Sequence, residues 1–334
     1  MLPELFLSCD WGTTRFRLRL AELESGQILA EATSDAGAAT LAAEHLPAER
    51  PEAYRNVLLG GIEGMQRACD HDLTKLPVII SGMASSSLGW CELPYAKLPF
   101  ALSGENAVWK PLEPASSGKH AGVYLISGVC SDDDVIRGEE TELIGAWQFA
   151  QEEAFPDRGL IILPGTHSKH LEVRQQTLVG IQTYMSGELF DVVGRHSVLR
   201  HSLPKQAEAN AVEFAELRQP FVAGVIEGSH LPLSHVLFHV RTKSLLTGMK
   251  PQECEAYLSG LLIGGELMAL TTYEASEMPI VLCASGELSV RYELALEILE
   301  LVQPILSIPP ADVARLAIRG QAVLLKQIVS QQNS

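Results

Sequence analysis

Two short stretches hold the residue types of phosphate chemistry. Residues 10–14, DWGTT, end the apolar run LFLSC with an acid, a glycine and two threonines before alternation resumes at Phe16, Leu18 and Leu20. Residues 163–169, LPGTHSK, interrupt a second apolar run, GLIIL, in the same way. In such loops backbone N–H groups and threonine hydroxyls can bind phosphate oxygens. A carboxylate beside them repels phosphate but takes Mg²⁺ through water, and Mg²⁺ commonly rests on one or two carboxylates plus substrate phosphates. One such loop alone reads as a turn; two in equivalent contexts read as phosphate binders.

The surrounding elements are repeated as well. Strands are expected over 4–9 and 15–22, a turn at ESG (24–26) and a returning strand at QILAEA, followed by a helix over 50–70 with Pro51 in its first turn. PVIIS (77–81) and GVYLIS (122–127) read as buried strands, and a helix is expected to follow Asp134 through EETELIGAWQFAQEE. Residues 159–184 then repeat strand, Gly/Thr loop, strand, tight turn, strand. Helices over 208–218, 234–248 and 252–273, a strand over 279–285 and a helix over 288–302 complete the second half. AFPDRG (154–159) is the expected boundary. Two similar halves predict two facing α/β domains with a small-molecule site between them.

Composition narrows the classes. The chain of 334 residues is 46% hydrophobic and 20% charged, an ordinary globular balance. No stretch approaches about 20 uninterrupted apolar residues, so no membrane span is expected, and MLPELFLSCD lacks the basic region of a signal peptide. Six scattered cysteines without CxxC spacing read as reduced thiols of a cytoplasmic protein. The net charge of −16 argues against nucleic acid as a partner.

The longer motifs make a resemblance specific. DWGTT (10–14), SGMASSSLGWCELPY (81–95), VIRGEETELIGA (135–146), LPGTHSK (163–169), YMSGELF (184–190), YLSGLLIGGEL (257–267) and ASGELSVRYELAL (284–296) stand in order along nearly the whole chain. In these stretches the sequence is similar to the 2-dehydro-3-deoxygalactonokinase family of the actin, hexokinase and heat-shock-chaperone ATPase superfamily. Ile136 and Ser186 stand where Met and Thr are usual, and His170 where Trp is usual.

The resemblance implies a two-domain α/β, actin-like ATPase (ribonuclease-H-like) fold with an interdomain active-site cleft. Residues 1–155 would carry the first phosphate loop and the sugar-acid site, and 156–334 the second loop and the adenosine site. The implied reaction is transfer of the ATP γ-phosphate to the 6-hydroxyl of 2-dehydro-3-deoxy-D-galactonate, with Mg²⁺, in galactonate breakdown.

For the nucleotide side, the resemblance assigns Asp10 to Mg²⁺, Gly12, Thr13 and Thr14 to the first loop, and Gly165, Thr166, His167 and Ser168 to the second, with Lys169 adding positive charge. His167 could instead bond its own loop, and Lys169 could be solvated. Gly264, Gly286 and Glu287 are the adenosine candidates, with close helix packing as the alternative for Gly264. For the base, Asp134 is favoured as an aspartate opening a helix, with Glu139 and Glu140 as rivals and helix capping as its alternative. For the sugar acid, the candidates are Ser81, Gly82, Met83, Ser85, Trp90 and Glu188, with core packing the alternative for Met83 and Trp90. Arg15, Arg17 and Arg137 lie within motifs and are the candidates to hold the substrate carboxylate, with an exposed side chain as the alternative for each. The expected partner is a small sugar acid, and a homodimer is admitted. The alternative enzyme is a hexose or amino-sugar kinase of the same fold. A filament or chaperone would need polymer contacts or a peptide-binding domain, for which the chain offers no segment.

Overall fold

The computed structural model describes residues 2–112, 122–205, 213–270 and 278–332. The chain divides into two compact units: residues 1–158, 171–181 and 311–334 form the first, and 159–170 with 182–310 the second.

The first unit opens with β1 (Leu5–Trp11), β2 (Phe16–Glu22) and β3 (Ile28–Ser34), then α1 (Ala38–Glu44) and α2 (Arg50–Gln66). β4 (Val78–Gly82), β5 (Ala96–Lys97), β6 (Phe100–Ala101), β7 (Trp109–Leu112), β8 (Val123–Ile126), β9 (Val129–Cys130) and β10 (Val135–Ile136) lead to α3 (Glu139–Glu152). The main sheet runs β3-β2-β1-β4-β8-β7. β1 to β3 are antiparallel neighbours, whereas β4 and β8 run parallel to β1. β1 is buried nearly throughout, as suits a central strand covered on both faces. Its residues Leu7, Cys9 and Trp11 join a core with Tyr54, Leu58, Ile62 and Met65 of α2.

The second unit holds β11 (Arg158–Leu163), the inner halves of β12 (Ser168–Arg174) and β13 (Thr177–Tyr184), and α4 (Ser186–His196). There follow α5 (Phe214–His230), α6 (Leu233–Val236), α7 (His239–Thr247), α8 (Pro251–Leu267), β14 (Ile280–Leu282), α9 (Gly286–Ile298) and β15 (Ile305–Ser307). Residues 208–212 and 271–273 of the expected helices lie outside the described residues. The sheet built on β11 runs β6-β13-β12-β11-β14-β15, with β6 antiparallel to β13 and with β14 and β15 parallel to β11. Both sheets share the arrangement 3-2-1-4 around their hairpins, β3-β2-β1-β4 and β13-β12-β11-β14, which agrees with the ribonuclease-H-like fold that the resemblance implies.

The last helices, α10 (Pro310–Val313) and α11 (Leu316–Gln332), return the chain, and residues 311–334 count with the first unit rather than the second, where the sequence had placed them. The reason is close backbone contact. A Cβ at Gly145 of α3 would run into the Leu316 carbonyl, and one at Gly320 of α11 into the Thr141 carbonyl. Gln321 then donates to the Cys9 carbonyl (2.9 Å) and to Ser81 Oγ (2.8 Å), fastening α11 to β1 and β4. Among the described residues no helix is long and apolar enough to cross a membrane, and all six cysteines are free thiols.

Candidate active site

In the first unit the candidate residues gather where the parallel strands end. Asp10 of β1 lies beside Ser81 of β4. Ligands of open α/β sheets bind at this carboxyl edge. The strand stops because Trp11 is an anchor: it is fully buried, donates to the Ala36 carbonyl (2.9 Å) and packs on Phe16 and Tyr54. Gly12 N–H donates to the Arg15 carbonyl (2.8 Å), closing the loop. The Gly12 and Thr13 carbonyls accept from Ala38 and Ala39 at 3.0 and 2.9 Å, which fixes the loop from behind and leaves Thr13 and Thr14 exposed.

The RGEET segment meets β4 at two glycines. Gly82 has φ +88, and a Cβ there would lie 2.6 Å from the Trp11 carbonyl oxygen. Gly138 has φ +109 and would bring its Cβ to 3.3 Å from Gly82 Cα. Only glycine allows this approach with such dihedrals. Gly138 is the N-cap of α3. Glu139 accepts from Arg137 N–H (2.8 Å) and Glu140 from Gly138 N–H (2.6 Å), so both acids fold back on the turn before the helix. Arg137 Nη1 donates to the carbonyl (2.6 Å) and hydroxyl (2.5 Å) of Ser85, and the guanidinium stacks on Tyr95 at 4.1 Å.

This edge concentrates carboxyl groups. Burial raises the Asp10 carboxyl above its usual range against the opposing pull of Arg17 and Arg19; Asp10 meets Arg17 at 3.4 Å. Burial pushes Glu140 up to about 8, and the neighbouring Glu139 charge adds to the effect. Burial likewise pushes Glu142 to about 8, with Asp10, Glu139 and Glu140 contributing. A divalent cation relieves this kind of carboxylate crowding. Asp10, at the mouth of the loop, fits one that keeps most of its waters.

In the second unit Thr166 and His167 form the exposed tip of the loop between β11 and β12. Thr166 accepts from Glu188 N–H (2.9 Å), and His167 Nε2 meets Glu188 at 2.5 Å, so α4 supports the loop and His167 bonds outside it. A Cβ at Gly187 would lie 2.5 Å from the Gly165 carbonyl oxygen, so α4 and the loop touch. A cavity of about 150 Å³ opens here, lined by Gly165, Ser186, Leu262, Leu288, Arg291 and Tyr292 among others. Gly286 (φ +58) begins α9 beneath it, and Glu287 pairs with Arg291 at 2.5 Å.

Several expectations change. Asp134 does not open a helix. It lies in the turn between β9 and β10, accepting from Val135 N–H (2.7 Å), because Val135 and Ile136 pair back onto Cys130 and Val129. Trp90 is a core residue, 8% exposed, stacked near Trp11 and Tyr54 at 6.4 and 6.2 Å, and Met83 packs against the same core. Ser81 and Ser85 are buried and bonded within the protein. Ser168 and Lys169 belong to β12 rather than the loop, and both are buried. Gly264 serves helix packing: its Cβ would collide with the Val225 carbonyl, as that of Gly260 would with Phe221.

Residues not singled out in the sequence also matter. Glu142 lies one residue beyond RGEET. Tyr95 and Ser127 hold Arg137. Glu266 accepts from four side chains in the second unit. Its signal was legible, a single acid in the apolar run LLIGGEL.

Two sheets that share the 3-2-1-4 arrangement, each ending β1 or its counterpart in a Gly/Thr loop, mark the class of actin-like ATPases and sugar kinases. Residues 10–320 match the family described as 2-keto-3-deoxy-galactonokinase. A probable 2-dehydro-3-deoxygalactonokinase of Rhizobium meliloti (strain 1021) is 32% identical over 298 residues, 87% of this chain and 89% of that one. The 2-dehydro-3-deoxygalactonokinase of Escherichia coli (strain K12) is 30% identical over 299 residues, with the same coverage. A crystal structure of a Sinorhizobium meliloti protein carrying that name superposes with a TM-score of 0.76 at 30% identity, covering 97% of this chain and 99% of its own. The chain belongs to the 2-keto-3-deoxy-galactonokinase family, whose members are ATP-dependent kinases.

Proposed function

We propose that the chain transfers the γ-phosphate of ATP to the 6-hydroxyl of 2-dehydro-3-deoxy-D-galactonate. Family membership across residues 10–320 carries this reading. The loops at 12–14 and 164–167 bind phosphate oxygens through backbone N–H groups and threonine hydroxyls. The cavity beside Gly165, Leu262 and Arg291 receives the adenosine. Asp10 holds Mg²⁺, which when bound neutralises charge on the transferring phosphates.

Arg137 receives the substrate carboxylate. Ser85, Ser127 and Tyr95 fix its guanidinium beforehand, so little side-chain freedom is lost on binding. The base belongs to the segment 134–140. Asp134 has lost its helix-start argument, and Glu140 holds its proton at neutral pH. We therefore assign the proton-accepting role to Glu139, the half-buried carboxylate at the start of α3. Free thiols support a cytoplasmic site of action. Coupled detection of ADP with 2-keto-3-deoxy sugar acids, glucose and N-acetylglucosamine tests the assignment. Turnover confined to the sugar acids is expected, and turnover confined to the hexoses would transfer it to a hexose kinase.

A further inference from the structure

Glu266 is 3% exposed, inside α8, where most neighbouring side chains are apolar or glycine. One carboxylate oxygen accepts from Ser168 Oγ (2.7 Å) and His170 Nε2 (3.0 Å). The other accepts from Ser186 Oγ (2.5 Å) and Tyr292 OH (2.9 Å). A buried carboxylate is strongly unfavourable unless its lone pairs are filled, and here all four donors are supplied. Burial pushes this carboxyl up, but the bonds from His170, Ser168 and Ser186 outweigh it and hold the group below its ordinary range.

Those donors come from β12, α4 and α9, and each element carries part of the second loop's surroundings. Ser168 directly follows the loop 164–167. Ser186 opens α4, whose Gly187 touches Gly165 and whose Glu188 holds both Thr166 and His167. Ser186 and Tyr292 line the 150 Å³ cavity, whereas Glu266 and His170 do not. The hydroxyl proton of Ser168 is committed to Glu266, so that side chain has no proton left to donate to a phosphate oxygen.

We infer that Glu266 is the positioning residue of the nucleotide site in the second unit, joining the loop, the start of α4 and the wall formed by α9 into one arrangement. It acts through Ser168, Ser186 and Tyr292 and touches no nucleotide itself. This inference rests on the proposal that the loop and cavity bind ATP.

The experiment measures Kd for MgATP and for ADP by titration calorimetry on the intact protein, alongside KM for the sugar acid. Glu266→Gln keeps the side-chain volume and one acceptor, and should weaken nucleotide binding by roughly tenfold, with Glu266→Ala weakening it further. The KM for the sugar acid should stay within about twofold of its starting value, because a loss confined to nucleotide binding leaves the other substrate's binding alone. Ser186→Ala should weaken binding too, and the double variant Glu266→Gln with Ser186→Ala should fall clearly short of the sum of the two effects, since one acts through the other. Should Glu266→Ala fail to fold, the Gln variant and the cycle still decide. An unchanged Kd in Glu266→Gln, or strict additivity in the cycle, overturns the inference while leaving the ATP reading intact. If the starting protein binds neither nucleotide, the ATP reading fails and the inference with it.

Discussion

One guanidinium nitrogen of Arg137 reaches both the carbonyl and the hydroxyl of Ser85, at 2.6 and 2.5 Å. The contact joins the segment after β4 to the turn before α3, and it leaves the arginine held in place before any ligand arrives. Lysine offers no planar fork for a carboxylate and cannot keep this geometry. Arg137→Lys should lower kcat/KM for the sugar acid by about 10- to 100-fold, with KM for ATP little changed. Steady-state kinetics with each substrate varied in turn checks this, and a loss falling mainly on ATP would remove Arg137 from the sugar-acid site.

The three carboxylates of the base segment separate by substitution. Glu139→Gln should reduce turnover by about 10²–10⁴-fold, the range for loss of a general base. Asp134→Asn, in a turn between two short strands, should leave turnover near normal. Glu140→Gln should be mild as well, because the native side chain already holds a proton at neutral pH. A dead but folded Asp134→Asn with an active Glu139→Gln would reverse the assignment.

Glu140 also makes stability depend on pH. Its carboxyl sits near 8 in the folded protein against 4.5 as the ordinary value, with burial as the main cause. Between those values the folded chain holds a proton that the unfolded chain has released, so its stabilising contribution is full below about 4.5 and is lost as the pH rises toward 8. Glu140→Gln, which cannot ionise, should therefore gain in melting temperature relative to the native protein as the buffer moves from pH 5 to pH 9. Parallel melting curves across that range for the two proteins would contradict the placement.

Glycine 264 offers a test of packing against ligand contact. Gly264→Ala forces a methyl group into the Val225 carbonyl and should cost about 1–3 kcal/mol in urea unfolding. The fraction that remains folded should bind ATP with unchanged Kd. A weaker Kd at full stability would return Gly264 to the nucleotide site.

The hairpin loops and the central strands of both large sheets could be read from the sequence because strand alternation and Gly/Thr interruptions are local signals, whereas β7 and β15, short strands of four and three residues, gave none. Asp134 misled because an aspartate ahead of a helical pattern is a capping signal, and nothing local reveals that Val135 and Ile136 pair backwards onto β9 before Gly138 turns the chain. Trp90 was ambiguous because an aromatic after a strand suits a sugar face and a core equally; Trp11 and Tyr54, distant in sequence, decide it. The glycines of α8 announced a close approach, but their partners on α5, Gly224 and Gly228, become evident only when the helices meet.

The return of α11 to the first unit bears on how the protein is made. Gln321 caps contacts of β1 and β4, and Gly320 lets α11 seat on α3. Strands that leave the ribosome first therefore wait for more than 300 residues of synthesis before their last packing partner exists. During that interval residues 159–170 and 182–310 can complete their own contacts, while the part of the first sheet that α11 will cover, over β1 and β4, stays open to chaperones, to proteases and to aggregation.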